Sequence, residues 1–185
     1  HSGHDNCIGG FLPDEKNIVS GNGEHGISLL RRDTYHNEII GNYVGIDIMG
    51  SREISNVDNG ISVELGAYNN LIKGNVVVTT GARCILLNDE GTSYNTVVGN
   101  LLGTDATGTQ VLDFGMDSAV GIGMGASFNR IGGKGIDDGN IICCNSTGIA
   151  FMWQGGPGNI VLGNRIGTCK DGTNLCGQGS YGITL

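Results

Sequence analysis

Asn95-Thr-Val-Val-Gly-Asn-Leu-Leu-Gly103 opens with a word, N-x-[IV]-x-G, that also begins at Asn6, Asn37, Asn70, Asn129 and Asn159, at intervals of 31, 33, 25, 34 and 30 residues. A period of this size is the mark of a stacked repeat. Each interval ends in a second word that alternates apolar and small residues: Gly26-Ile-Ser-Leu29, Gly60-Ile-Ser-Val63, Ile85-Leu-Leu87, Gly121-Ile-Gly-Met124, Gly148-Ile-Ala-Phe151 and Gly182-Ile-Thr-Leu185. Between the two words lies a third apolar stretch, such as Ile18-Val19, Val76-Val77-Val78 or Ile141-Ile142. Three short strands per repeat predict a triangular coil. Strands this short bury too little to offset their ordering entropy alone, so the coils are stable only when stacked on one core. In-register stacking predicts an inward column of Ile8, Ile39, Ile72, Val97, Ile131 and Val161. The β-branched residues suit that pleated surface, the Gly ending each word permits a corner with positive φ, and the heading Asn predicts an amide ladder between coils.

Composition supports an all-β fold. The 185 residues include 35 Gly and only 15% charged residues. Glycine and asparagine at this density are poor helix formers, and no window sustains a helical apolar stripe. There is no Gly-X-Y period, and 38% hydrophobic residues argue against a disordered tract. A formal charge of −8 with no basic run longer than Arg31-Arg32 argues against a nucleic-acid partner. No apolar run approaches the ~20 residues of a membrane span, so membrane insertion is not expected. The first residues do not read as a signal peptide, so the chain reads as mature, processed or excised. Residues 1–185 form one expected domain of about six coils with no cap at either end. Bare coil ends of this kind predict association with further copies of the chain, end to end, into a filament, or a fragment of a longer protein.

The pattern resembles the right-handed parallel β-helix repeat proteins, a group that includes pectate-lyase-like and polygalacturonase-like enzymes, phage tailspikes and many secreted surface proteins. Gly99-Asn-Leu-Leu-Gly-Thr-Asp-Ala-Thr-Gly-Thr109, echoed by Gly163-Asn-Arg-Ile-Gly-Thr-Cys-Lys-Asp-Gly-Thr173, resembles the G-N-x-[IL]-G-T-D-x-x-G-T word of secreted bacterial and archaeal β-helix repeats. The resemblance covers the whole chain and implies architecture; it says little of activity, because the fold hosts many functions. Hydrolases of this group carry N-x-D, an Asp pair, G-H-G and R-x-K. Only Asp137-Asp138 matches, as a weak catalytic candidate between two glycines, and a working pair needs carboxylates about 5–9.5 Å apart across a groove.

The corners carry the surface features. Coils two, four and six expand the second corner through 47–58, 105–119 and 168–180, whereas coils one and five lengthen the first through Phe11–Lys16 and Lys134–Asp138. Asp47, Glu53, Asp58, Asp105, Asp113, Asp117 and Asp171 give the second corner an acidic ridge. It reads as solvated loop chemistry, with Ca²⁺ the one cofactor to consider and no metal site assigned. His1, His4 and Asp5 could grip a metal, but at a chain end they read as exposed. Tyr35, Tyr68, Tyr94 and Phe128 precede the repeat Asn by one or two positions and predict one aromatic stripe, extended by Trp153. It either holds sugar rings or seals a corner. Cys169 and Cys176 bracket a Gly turn and are the expected disulfide; Cys84 and Cys144 stand where other coils have Gly and are expected buried, while the pairing of Cys7, Cys84, Cys143 and Cys144 is open. A disulfide sets the chain in an extracellular or cell-surface location. Asn145-Ser-Thr147 is a glycosylation word.

These features predict a non-catalytic structural or adhesive module of a secreted or surface protein. The alternative is a carbohydrate-active β-helix, a lyase or hydrolase fragment or a glycan-binding segment, with polysaccharide as partner.

Overall fold

A computed structural model describes residues 3–79, 81–112, 117–143, 146–177 and 179–185. Among these residues there is no helix, and eighteen short strands form three parallel sheets of six. Coil one contributes Cys7–Gly9, Ile18–Val19 and Ile27–Leu30, one strand to each sheet; coil two contributes Glu38–Ile40, Tyr43–Val44 and Ile61–Glu64. Coils three and four add Leu71–Lys73, Val76–Val77 and Arg83–Asn88, then Thr96–Val98, Leu101–Leu102 and Ser118–Gly123. Coils five and six add Arg130–Ile131, Ile141–Ile142 and Thr147–Met152, then Ile160–Val161, Arg165–Ile166 and Tyr181–Thr184. Each strand pairs only with its counterparts one coil before and one coil after, which is a parallel β-helix.

The inward column of the first sheet is in the expected register: Ile8, Ile39, Ile72, Val97, Ile131 and Val161 pair in succession. Ile39, Ile72, Val97 and Ile131 are fully buried, while Ile8 in the outermost coil is 37% exposed. Val44, Val77, Leu102 and Ile142 of the second sheet and Ile61, Ile85, Val120 and Ile149 of the third complete a single core. Burying each such side chain contributes about 1.5–3 kcal/mol.

Two asparagine ladders brace that core, one more than the repeat word predicts. In the first, Asn6, Asn37, Asn70, Asn95 and Asn129 each donate from Nδ2 to Oδ1 of the counterpart one coil on, at 2.8–3.1 Å, ending on Asn159. In the second, Asn17, Asn42, Asn75, Asn100 and Asn140 do the same, ending on Asn164. The amides also reach backward: Asn75 Nδ2 donates to the Ile39 carbonyl at 2.8 Å. Buried amides paired on both sides satisfy the corner backbone, so the ladders supply polar closure where a turn interrupts the strands. The word-final Gly41, Gly74, Gly99 and Gly163 take φ of 64–69°, but in coils one and five, with their longer first corner, positive φ moves one residue earlier to Gly9 and Gly132.

The third strand of coil four departs from the word-based alignment. Val120, not Ile122, pairs with Ile85 and Ile149. A slip of two residues preserves the face in a period-two pattern, which is why the sequence tolerated either alignment. Gly121 and Gly123 lie on the outer face of the third sheet in either alignment, and the observed one sets Gly123 beside Asn88.

Candidate functional site

The second sheet's outer face is a groove between two ridges. Tyr43, Val76, Leu101, Ile141 and Arg165 pair in succession along its floor. One wall is the second corner, where the expanded loops of coils two, four and six fold as hairpins. Ile46 bridges Glu53, Thr104 bridges Val111 and Thr168 bridges Leu175, all antiparallel. Although each hairpin belongs to every other coil, the three stack directly: Ala106 N donates to Gly50 O at 2.8 Å and Lys170 N to Gly108 O at 2.9 Å. The other wall comes from the first-corner loops. Asp137 and Ile136 of coil five lean over coil four, where a Cβ on Gly99 would sit 2.6 Å from the Asp137 carbonyl. Phe11 of coil one reaches across coil two, its ring 3.2 Å from where a Gly74 Cβ would be.

Between these walls lies a cavity of about 410 Å³, lined among others by Tyr43, Leu101, Ile136, Asp137, Arg165 and Lys170. That volume lies in the range of small-molecule sites. Its floor is apolar at the centre and cationic at both ends. Arg165 and Lys170 stand at one, and Lys16 lies 4.1 Å above the Tyr43 ring at the other. Ile136 is 98% exposed on the rim. In a chain with a formal charge of −8, this concentration of cations is local.

The acidic ridge behind the groove is built for closure of the hairpins. Asp47 Oδ1 accepts from Ser51 N and Arg52 N at 2.8 and 3.1 Å, Asp105 Oδ1 from Thr109 N and Gln110 N at 2.9 and 3.0 Å, and Asp171 Oδ1 from Thr173 N and Asn174 N at 2.9 and 3.0 Å. The Ser51 amide above all holds the Asp47 carboxyl below its ordinary pKa, and the Asn174 and Thr173 amides do so for Asp171. For Asp105 burial raises the pKa, but the Thr107 hydroxyl with the Gln110 and Thr109 amides outweighs it, and the net shift is downward. Asp117 pairs with Arg83 and Asp58 with His25, while Asp113 lies outside the described residues. Among the described residues no group of three or more His, Cys, Asp or Glu is placed to hold a metal ion. His4 Nδ1 instead meets Asp5 Oδ2 at 2.7 Å and its ring stacks on Tyr35.

The aromatic residues form two pairs in different columns. Tyr35 and Tyr68, two positions before the ladder Asn, stack at 5.2 Å. Tyr94 and Phe128, one position before it, stack at 5.4 Å and occupy left-handed backbone, φ 57° and 56°. Ser93 and Ser127, not aromatic rings, continue the Tyr35–Tyr68 column. One residue of offset at the corner thus breaks the expected stripe. Trp153 belongs to neither pair: it follows the third-sheet strand of coil five, 5.5 Å from the Arg83 guanidinium.

Asp138 Oδ2 accepts from Gly135 N at 3.0 Å, capping its own loop, while Asp137 is, among the described residues, the one carboxylate in the cavity lining. Cys169 and Cys176 form the expected disulfide, which belongs to an oxidising setting. Cys84 is buried in the core at the position of Gly60, its sulfur 3.1 Å from the Val77 carbonyl; Cys143 is buried and Cys7 exposed. Cys144, Asn145 and His1 lie outside the described residues.

Sequence reading missed the groove, since its walls come from loops of different coils at two different corners. The signal was the alternation of first- and second-corner insertions. No protein-family model, curated protein or solved structure matches the chain.

Proposed function

We propose that this chain is a non-catalytic adhesive module of a secreted or cell-surface protein, and that the second-sheet groove holds an extended acidic polysaccharide. The observation that carries the reading is the groove's arrangement: an apolar floor with Tyr43, cations at both ends, and one carboxylate in the lining. An apolar and aromatic floor accepts the faces of sugar rings, and Lys and Arg pair with uronate or sulfate groups. Hydrolysis by the family's chemistry needs a second carboxylate opposite Asp137, and the described lining supplies none. The parallel sheets and their ladders give a stiff support suited to adhesion, and the disulfide agrees with export.

The test is retention of polygalacturonate and alginate, with dextran as the neutral control, by wild type and by Arg165→Glu/Lys170→Glu. Wild type is expected to retain the acidic polymers, less at high salt because the pairing is screened, and the double variant to lose them. Equal retention of dextran would overturn the proposal. So would cleavage of polygalacturonate abolished by Asp137→Asn.

A further inference from the structure

The chain holds two Asn-Gly steps, Asn22-Gly23 and Asn59-Gly60. An asparagine side chain followed by glycine can lose ammonia, because the next backbone nitrogen attacks Cγ and glycine has no Cβ to crowd the five-membered ring that forms. In a folded protein three conditions govern the reaction. The nitrogen must be unengaged, the side-chain amide must be able to turn toward it, and water must reach the ring.

The two steps differ on all three. At Asn59-Gly60 the backbone is tied into the third sheet: Gly60 N donates to Arg83 O at 2.8 Å, and Asn59 O accepts from Gly26 N at 3.0 Å. Asn59 is 3% exposed, and its Nδ2 meets His25 Nδ1 at 3.3 Å. At the second corner of coil one, Asn22 and Gly23 are both exposed. Among the described residues nothing accepts the Gly23 N–H, and a Cβ on Gly23 would meet nothing within 4 Å. Asn22 Nδ2 donates only to Asn56 Oδ1, at 2.8 Å. Asn75, inside a full ladder, donates to Ile39 O, Lys73 O and Asn100 Oδ1. One contact holds the Asn22 amide where three hold a ladder amide.

We infer that Asn22 is a deamidation site of the folded protein and that the fold protects Asn59. Gly23 N gives its proton to hydroxide and bonds to Asn22 Cγ. The Cγ–Nδ2 bond breaks, and the nitrogen takes a proton from water and leaves as ammonia. Water then opens the imide at Cγ, which gives aspartate, or at the main-chain carbonyl carbon, which gives isoaspartate. The net change is water in and ammonia out, with no oxidant or reductant. In the aspartate form a carboxylate oxygen faces Asn56 Oδ1, two acceptors with no proton between them, so the tie between coils one and two is lost. Isoaspartate also adds a methylene to the backbone, where Asn22 N donates to Asn56 Oδ1 and Val57 N to Asn22 O, each at 3.0 Å. The site does not depend on the polysaccharide reading.

The experiment incubates wild type and Gly23→Ala at pH 6 and pH 9, folded and in concentrated urea, with circular dichroism as the check on folding. Peptide mapping by mass spectrometry reads the exchange of amide for carboxylate at each asparagine over time. In folded wild type, conversion at Asn22 is expected to run at least about tenfold faster than at Asn59, which must wait for local opening, and to be faster at pH 9 than at pH 6. In urea the two rates should converge, because only the fold separates them. Gly23→Ala has open space for its Cβ, so it should fold as wild type does and slow conversion at Asn22 in both states. Equal rates at Asn22 and Asn59 in the folded protein overturn the inference. So does an Asn22 that converts only in urea, or a rate that Gly23→Ala leaves unchanged.

Discussion

Coils four and six carry the same hairpin and close it by different chemistry. In both, the third residue from the opening Gly is bonded back across the turn, with Asp105 N donating to Gln110 O and Cys169 N to Asn174 O, each at 2.9 Å. Both return to the opening Gly, through Leu112 N to Gly103 O and Cys176 N to Gly167 O. In coil four the Asp105 side chain then gathers the turn's amides. In coil six a cysteine occupies that position and is joined to Cys176, while Asp171, two residues later, takes over the amides. One backbone solution thus admits a carboxylate or a covalent tie, because both fix the same two ends of one turn. The first is titratable and the second is reducible.

Both hairpins rest on a core that neither closure can replace, so the largest effect is expected there. Ile72→Asp puts an unpaired carboxylate at a fully buried position between stacked coils, a change expected to cost more than about 4 kcal/mol. The variant should show no cooperative melting transition. A melting curve like that of the wild type would show that closure at the corners, not the inward column, holds the coils together.

That column was legible in the sequence because N-x-[IV]-x-G fixes both its period and its face. The first ladder followed from the same Asn. The second was equally visible as the recurring Gly-Asn of Gly41-Asn42, Gly74-Asn75 and Gly99-Asn100, but reading Asn as a turn residue concealed it. The aromatic stripe failed on a one-residue offset: Tyr68 and Tyr94 are both near a repeat Asn, and only backbone pairing tells that the first precedes the left-handed position and the second occupies it. The alignment of coil four's third strand was not legible. A shift of two residues keeps Val120 and Ile122 inward and Gly121 and Gly123 outward either way, and only backbone pairing shows that Val120 stands beside Ile85.

The next effect in size separates the two closures. Cys169 and Cys176 are 7 residues apart in sequence, and closing so short a loop contributes about 2–3 kcal/mol on the chain-entropy account. Cys169→Ser/Cys176→Ser, or reductant added to wild type, should lower the stability read from the thermal melt by that amount. Peptide mapping should place the new proteolytic sensitivity at 168–177 and leave 104–112 protected. Equal loosening of both hairpins would mean that the stack, joined through Lys170 N and Gly108 O, behaves as one unit.

Acid should act in the opposite place. The folded pKa of Asp105 lies below its unfolded value, so its contribution is full above about pH 4 and is lost as pH falls through the folded pKa. Asp105→Asn is expected to cost about 1 kcal/mol at pH 7, the net worth of hydrogen bonds to a partly screened carboxylate. The difference between variant and wild type should shrink from pH 6 to pH 3 in thermal melts. A difference constant over that range would show that the amide of Asn serves the turn as well as the carboxylate does.

The smallest effect is expected from exchanging one closure for the other. Cys169→Asp/Cys176→Leu gives coil six the pair that coil four has in Asp105 and Leu112. The opening Gly, the turn Gly and the bonded amides already match, since Gly172 N donates to Cys169 O as Gly108 N does to Asp105 O. The new carboxylate would compete with Asp171 for the Thr173 and Asn174 amides, which are already satisfied. Two acids then face one set of donors, and like charges this close oppose each other. Adding Asp171→Thr, the residue that coil four has at position 107, removes that conflict. The triple variant should therefore lie below wild type in stability and about 1 kcal/mol above the double serine variant, while losing all response to reductant. It should also gain acid sensitivity at 168–177, read by proteolysis at pH 4 against pH 7. If the triple variant is no more stable than Cys169→Ser/Cys176→Ser, the two hairpins share a backbone path without sharing a means of closure, and the equivalence drawn between them fails.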